Sequence, residues 1–186
     1  MKILVIEGSP HKHGSSNLLA ERFIDGARDA GHVVSVFDAA HANLHPCLGC
    51  DTCGMAGVCI QKDDMESLKD DIRDSDMMVF VTPLYYFGFS AQIKMVIDRF
   101  YSFNGELTSK GLKTALIAAA WNNDNETMEF LKNHYLKLCN YLNFKKSGHD
   151  FRSGLWFPFH DREDKISAKS LRLWKITKMT LHSFLV

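Results

Sequence analysis

Short apolar runs alternate with longer amphipathic stretches along most of this 186-residue chain. The runs have the length and the aliphatic side chains of strands that are buried on both faces. They lie at residues 3–6, 33–37, 77–81 and 114–120. Between them, apolar residues recur at helical spacing, as Ala20, Phe23, Ile24 and Ala27 do. The pattern predicts helices at residues 17–30, 63–73, 90–101 and 126–142, a fifth strand within 144–159, and a helix from 164 onward.

This alternation favours a parallel sheet, because parallel strands are joined by helix-length crossovers. The sequence predicts an α/β fold: a doubly wound five-stranded parallel sheet in the flavodoxin-like order 2-1-3-4-5, with helices on both faces. We expect a single domain over residues 1–186, with an insertion at about residues 45–62. Ligands of such sheets bind at the carboxyl ends of the strands, so the loops after strands one, three and four are expected to carry the chemistry.

Charge and hydropathy restrict the partners of this chain. Its 22 basic and 22 acidic residues give a formal net charge of zero, which provides no general attraction to nucleic acid or anionic membrane. No apolar run approaches the roughly 20 residues that a membrane helix needs, and the amino end lacks the features of a signal peptide. We therefore expect a cytoplasmic protein without nucleic-acid or membrane partners.

The segment between the first strand and the first helix is rich in glycine and hydroxyl side chains. It reads Gly-Ser-Pro-His-Lys-His-Gly-Ser-Ser-Asn over residues 8–17. Glycine permits a tight turn close to a ligand, and the free N–H groups of a helix N-terminus bind anions. The segment predicts a site for a terminal phosphate monoester, the alternative being a polar capping loop that binds nothing. The side chains expected to contribute are those of Ser9, His11, Ser15, Ser16 and Asn17.

The segment after the third strand is rich in aromatic side chains. Its first residues are Pro83, Leu84, Tyr85, Tyr86 and Phe87. Exposing so many rings at a strand end is costly, so the segment suits a flat ring that stacks on it and takes backbone hydrogen bonds at its edge. The alternative is that these rings pack beneath the neighbouring helix or against a partner subunit.

Four of the five cysteines are clustered, with the spacing Cys-x2-Cys-x2-Cys-x5-Cys. They are Cys47, Cys50, Cys53 and Cys59. Three cysteines at intervals of three can hold one corner of a four-iron cluster, and the fourth could complete the ligand set. Two alternatives stay open: a zinc site, although zinc usually takes two separated pairs, and four reduced thiols in a surface loop.

Polar residues beside the cysteines have simpler interpretations. Asp63 and Asp64 look like part of a solvated helix face, and Asp63 also suits a helix N-cap. His45 precedes Cys47 by two residues and could ligate a metal, but it is interpreted as a surface residue.

The two loop segments together resemble the NAD(P)H-dependent FMN reductase family, which has the flavodoxin-like fold. The helix after the aromatic segment strengthens the resemblance through Ala91, Lys94, Asp98 and Arg99. The cysteine segment is similar to that of the iron–sulfur flavoprotein branch and of cluster-free relatives. The resemblance covers about residues 1–120.

The resemblance implies a bound FMN, with NAD(P)H as a substrate. It places the phosphate on Ser9, Ser15, Ser16 and Asn17, and the ring system against residues 83–87. His11 stands in a stretch where the family often carries arginine. Trp121 and Asn122 are expected near the pyrimidine end of the flavin, and flavin at the interface of a homodimer or higher homo-oligomer is also implied.

Three functional hypotheses follow from these segments. The first is an FMN-dependent oxidoreductase that passes reducing equivalents from NAD(P)H to a small-molecule acceptor, with a 4Fe-4S cluster as a possible relay. The second is an electron-transfer flavoprotein that exchanges electrons with a ferredoxin-type partner. The third is a flavin-free binding module that has kept the fold, since fold alone does not fix function.

Overall fold

The computed structural model describes residues 1–121 and 126–146, together with the backbone of residues 155–158. The strands are β1 (Lys2–Glu7), β2 (Val33–Asp38), β3 (Met77–Pro83), β4 (Lys113–Ala120), β5 (Lys145–Lys146) and β6 (Leu155–Pro158). The helices are α1 (Ser15–Asp29), α2 (Met65–Asp74), α3 (Ala91–Arg99), α4 (Asn104–Lys110) and α5 (Glu129–Tyr141). A short 3-10 helix at Phe100–Phe103 joins α3 to α4.

The four long strands form a parallel sheet in the order β2-β1-β3-β4, which confirms the predicted α/β class and the predicted order of these strands. The fifth position differs from the prediction of a single strand. Two short strands, β5 and β6, each pair in parallel with a different part of β4. Because β5 contributes only Lys145 and Lys146, it contains no apolar run by which its limits could be predicted.

Side chains of each central strand alternate between two cores, as the period of two in a strand requires. From β1, Leu4 and Ile6 enter a core built with α2, α3, α4 and α5. Ile3 and Val5 enter a second core against α1. Burial on both faces explains why the strands read as continuous apolar runs rather than as alternating ones.

The segment between α3 and β4 contains a helix that the sequence pattern does not predict. In α4, Leu107 is the buried residue, so the segment has almost no apolar stripe. The helix ends at Gly111, which has a φ of 60°. Glycine suits this left-handed conformation because it has no Cβ to clash with the backbone.

The predicted helix from residue 164 onward lies outside the described residues. Within the part of the chain that the structure describes, no helix has the length and apolar character needed to cross a membrane.

Candidate functional site

Three loops begin side by side at one edge of the sheet. The strand register pairs Glu7 with Val81 and Pro83 with Ala119, so β1, β3 and β4 end next to one another. The Gly8 N–H donates to the carbonyl oxygen of Val81 at 2.9 Å, and the Leu84 N–H donates to that of Ala119 at 2.7 Å. These bonds fix the starts of the first two loops, at the edge where the sequence predicts a ligand site.

The first loop leads directly into the N-terminus of α1. Gly14 is the N-cap residue and makes no side-chain cap, and the helix begins at Ser15, two residues earlier than the sequence pattern predicts. Ser15, Ser16 and Asn17 therefore form the first helical turn, where backbone N–H groups have no intrahelical partner. The helix dipole adds partial positive charge at this end.

Two polar atoms in this turn are buried and have no hydrogen-bond partner among the described residues. They are the Ser16 hydroxyl oxygen and the amide oxygen of Asn17. An unsatisfied buried polar group costs about 1–3 kcal/mol, so such groups usually mark a site that a ligand or water completes. A hydroxyl beside free N–H groups at a helix N-terminus fits a phosphate, which accepts several hydrogen bonds.

Other polar side chains of the first loop form hydrogen bonds within the loop. The Ser9 hydroxyl donates to the His11 carbonyl oxygen and accepts from the His11 N–H, both at 3.2 Å. The Asn17 amide donates to the carbonyl oxygens of His11 and Lys12 at 3.5 and 3.4 Å. Ser9 is buried whereas the His11 side chain is exposed, so Ser9 shapes the loop from within while His11 faces solvent.

The aromatic loop, residues 83–89, turns tightly at its tip. Tyr85 and Gly88 exchange backbone hydrogen bonds at 3.3 and 3.1 Å, which closes a two-residue turn. Tyr86 and Phe87 at its centre both have positive φ, at 44° and 65°. Positive φ at both central positions defines a type I′ turn, which usually carries Asn or Gly. Bulky side chains here are strained, and such strain is concentrated at functional sites.

Three rings of the aromatic loop are exposed, whereas the ring of Phe89 is buried in the core. Tyr86 is 100% exposed, and Tyr85 and Phe87 are 44% and 55% exposed. Phe87 makes an edge contact with Phe130 of α5, with 6.3 Å between ring centroids. At the end of β4, Trp121 is 88% exposed. Asn122, which is also predicted to lie near the pyrimidine end of the flavin, is outside the described residues.

The four clustered cysteines line one cleft of about 500 Å³ in the cysteine loop, residues 45–62. Cys47 and Cys50 are exposed, and Cys53 and Cys59 are partly buried. Asp98 of α3 and Tyr101 of the following 3-10 helix also line the cleft. Among the described residues, no three His, Cys, Asp or Glu side chains converge as ligands of a single metal ion.

A buried ion pair holds both ends of the cysteine loop. Arg99 donates to the two carboxylate oxygens of Asp63 at 2.8 and 3.0 Å, and the pair is almost fully enclosed. Arg99 also donates to the His45 carbonyl oxygen at 2.9 Å, and the His45 N–H donates to Asp63 at 3.0 Å. His45 stands before the first cysteine and Asp63 after the last, so this pair closes the base of the loop.

The interpretation of Asp63 as a solvated residue is therefore wrong. Burial alone would raise the pKa of Asp63, but hydrogen bonds from Arg99 and from the His45 N–H outweigh it and lower that pKa. The Asp63 carboxylate also accepts from the Met65 N–H at 3.2 Å, but the N-cap residue of α2 is Asp64, so Asp63 lies one residue before the predicted capping position. Besides the family resemblance, the sequence signal for Arg99 is its position: it lies three residues after Val96, on the buried stripe of α3.

Two further contacts shape the cysteine loop. The Tyr101 hydroxyl donates to Asp51 at 2.7 Å, which ties the middle of the loop to the end of α3. The Thr52 hydroxyl donates to Cys50 Sγ at 3.4 Å and lowers the pKa of that thiol. Hydrogen bonding to sulfur favours the thiolate, the form that binds metals and reacts as a nucleophile.

A doubly wound parallel sheet in the order β2-β1-β3-β4, with a glycine- and serine-rich loop and an aromatic loop at its carboxyl edge, defines a flavodoxin-like α/β protein. The chain belongs to the NADPH-dependent FMN reductase family, whose sequence model matches residues 1–139. This confirms the resemblance carried by the two loops.

Individual relatives agree with the family assignment. The chain is 33% identical over 111 residues to an iron-sulfur flavoprotein of Archaeoglobus fulgidus, covering 60% of this chain and 50% of that protein. It is 36% identical over 102 residues to an iron-sulfur flavoprotein of Clostridioides difficile, covering 53% and 45%. In these comparisons the alignments span about half the length of the relatives.

Solved structures agree on the fold. An NAD(P)H:quinone oxidoreductase from Methanothermobacter marburgensis superposes with a TM-score of 0.73 at 17% identity. The match covers 97% of this chain and 96% of that one. At this identity the likeness shows the shared architecture alone.

Proposed function

We propose that this protein binds FMN at the carboxyl edge of its sheet and works as an NAD(P)H-dependent oxidoreductase. The observation that carries the proposal is the buried Ser16 hydroxyl, unpartnered among the described residues, at the α1 N-terminus. Ser15, Ser16 and Asn17 would hold the phosphate, and residues 83–87 and Trp121 would border the ring system. When bound, FMN supplies the redox chemistry, accepting a hydride from NAD(P)H and passing electrons to an acceptor.

The chain's own contribution is binding and orientation. The first turn of α1 offers neutral donors and a dipole, so it fixes an anionic group without a buried cation. The aromatic loop offers apolar surface and a pre-formed turn, so a flat ring can bind there with little loss of loop entropy. Exposure of Tyr85 and Tyr86 leaves one side of the site open for a second substrate or a partner subunit.

Comparing FMN with riboflavin tests the phosphate site, because the two ligands differ only in the phosphate group. We expect flavin-free protein to bind FMN at least about tenfold more tightly, as measured by quenching of flavin fluorescence. Ser16→Ala should reduce this preference without destabilising flavin-free protein, since the hydroxyl has no described partner to lose. Ser109→Ala, on exposed α4, is the matched control. Equal affinity for the two flavins would contradict the proposal.

Reduction by nicotinamide tests the enzymatic half of the proposal. Anaerobic NADH or NADPH should bleach the absorbance of the bound FMN, and quinone or free flavin should restore it with turnover. Slow reduction by both nicotinamides, combined with fast reduction by a ferredoxin, would instead identify an electron carrier with a ferredoxin-type partner.

As a second function, we propose that the cysteine loop holds a 4Fe-4S cluster that exchanges electrons with FMN. The supporting observation is that Cys47, Cys50, Cys53 and Cys59 line one cleft. Their spacing in the sequence favours a cluster over zinc, because structural zinc usually takes two separated pairs of ligands. Anaerobic purification with assays of iron, zinc and acid-labile sulfide tests this. Stoichiometric zinc, or protein with neither metal after reconstitution with iron and sulfide, would contradict it.

We also propose that the protein is a homodimer or a higher homo-oligomer. The supporting observation is the group of exposed rings beside the proposed flavin site, which a second subunit would cover. This group, called the aromatic edge below, consists of Tyr85, Tyr86, Phe87, Trp121 and Phe130.

A further inference from the structure

The guanidinium of Arg99 is an enclosed charged group at the base of the cysteine loop. The residue is 2% exposed, and two of its three nitrogens are engaged by Asp63 and by the His45 carbonyl oxygen. The third, Nε, is buried and has no hydrogen-bond partner among the described residues. A buried guanidinium nitrogen without a hydrogen-bond partner is unusual, because an enclosed arginine normally engages all three of its nitrogens.

The location of this guanidinium relates it to the cysteines. His45, whose carbonyl oxygen it holds, lies two residues before Cys47. The thiols of Cys59 and Cys47 are close enough to act on the charge of Arg99. Asp98, the preceding residue, lines the cleft itself. Arg99 is thus an enclosed cation at the point where the cysteine loop begins and ends.

We propose that Arg99 is a positioning residue for a sulfur-ligated, anionic centre in the cysteine cleft. With Asp63 it closes the base of the loop before any metal binds, and its buried positive charge stabilises the negative charge of that centre from behind the residues that line the cleft. The effect of Arg99 on the centre rests on the cluster proposed above. The closure of the loop concerns the polypeptide alone and holds for metal-free protein.

Hydrogen–deuterium exchange of metal-free protein tests the closure of the loop. We expect Arg99→Lys and Arg99→Gln to raise exchange of the amides of His45 and Met65 at least about tenfold, because both N–H groups bond to the carboxylate that Arg99 holds. Arg73→Gln is the matched control, since Arg73 makes a similar two-point pair with Glu106 at the surface. Unchanged exchange in both Arg99 variants would overturn the proposal.

The reduction potential of the reconstituted cluster tests the role of the charge. Reduction adds negative charge, so Arg99→Gln should lower the midpoint potential and Asp63→Asn should raise it, while Arg73→Gln leaves it unchanged. A merely structural role predicts no opposite displacement, because both variants would loosen the loop in the same way. Displacements in the same direction, or none, would overturn the role of the charge.

Loss of the cluster to a chelator gives a further readout. We expect Arg99→Lys, which keeps the charge but not the fork, to lose iron at least about tenfold faster than the wild type, as happens when outer-shell partners of metal ligands are removed. If Arg99→Gln does not fold, Arg99→Lys and Asp63→Asn decide the outcome. If the wild type binds no iron at all, the cluster proposal and the role of the charge both fail, and the exchange experiment alone decides the closure of the loop.

Discussion

Gly8 shows how one residue sets the distance between the first loop and α3. A Cβ at this position would lie 2.2 Å from Cγ1 of Ile93 and 2.7 Å from Oγ of Ser90. These distances are far below any van der Waals contact, so the absence of a side chain at Gly8 lets the chain turn at the end of β1.

We predict that Gly8→Ala lowers the free energy of unfolding by about 1–3 kcal/mol, because the added methyl group displaces a packed helix. Urea denaturation measures the change. Gly105→Ala is the matched control: it lies in exposed α4 with no atom within 4 Å of the added Cβ. We expect that substitution to be neutral or to stabilise by a few tenths of a kcal/mol. Equal effects would show that the contact with Ile93 is relieved easily.

Asp63 gives the stability of the protein a pH dependence. Its pKa is lowered in the folded state, so it binds its proton less readily there than in the unfolded chain, where the pKa is about 3.9. The stabilisation is therefore present above about pH 4 and is lost as the pH falls through the folded-state pKa.

We predict that Asp63→Asn lowers the free energy of unfolding at neutral pH by about 3–5 kcal/mol, the usual effect of breaking a buried ion pair. The variant should also lose part of the decline in stability between about pH 5 and pH 2. Chemical denaturation across this range is the measurement. Asp74→Asn removes the exposed partner of Lys2 and should change stability by less than about 1 kcal/mol. A wild-type decline retained in full by Asp63→Asn would contradict the assignment.

Among the elements, the turn in the aromatic loop maintains a strained backbone. Tyr86 is fully exposed, so no described packing of its side chain compensates for its positive φ. A non-glycine residue in the left-handed region costs about 1–2 kcal/mol. Such a cost at an exposed position indicates that the tyrosine ring serves binding rather than folding.

We predict that Tyr86→Gly raises the free energy of unfolding by about 1 kcal/mol and weakens FMN binding. Thermal unfolding and flavin titration measure the two effects. Tyr85→Gly, in the same loop but without positive φ, should not stabilise the fold. Stabilisation by both substitutions, or unchanged FMN affinity in Tyr86→Gly, would contradict the prediction that Tyr86 lowers the stability of the fold and strengthens FMN binding.

Comparison of individual elements shows what the sequence could and could not predict. β1, β3 and the loops after them were predictable because an apolar run, a glycine or a cluster of aromatics is a local signal. Helix α4 was not, because Leu107 alone does not make an apolar stripe. The pair of Asp63 and Arg99 was not, because 36 residues separate them and only the packing of α3 beside α2 brings them together.

For the molecule as a whole, the aromatic edge is the notable exposed surface. The contact of Phe87 with Phe130 joins the aromatic loop to the start of α5, so these rings form one continuous surface on two elements. Exposed aromatic surface of this kind is typical of protein interfaces.

We predict that the protein sediments as a dimer or larger species, and that Tyr86→Ser combined with Trp121→Ser shifts it toward monomer. Sedimentation velocity at several concentrations is the measurement. Tyr141→Ser is the control, because Tyr141 is 61% exposed but lies at the opposite end of α5. A monomeric wild type, or equal effects of the control, would contradict an interface at this edge.

The closed base of the cysteine loop has a consequence for how such proteins diversify. The Gln61 side chain donates to the Pro46 carbonyl oxygen at 2.7 Å, and the Asp64 N–H donates to that of Asn43 at 3.0 Å. Contacts at the two ends fix where the segment begins and ends, so we expect that its interior can be shortened or exchanged without altering the register of β2. If the proposed function holds, replacing the residues between Pro46 and Gln61 with another metal-binding motif would change the electron relay and leave the flavin-binding loops intact.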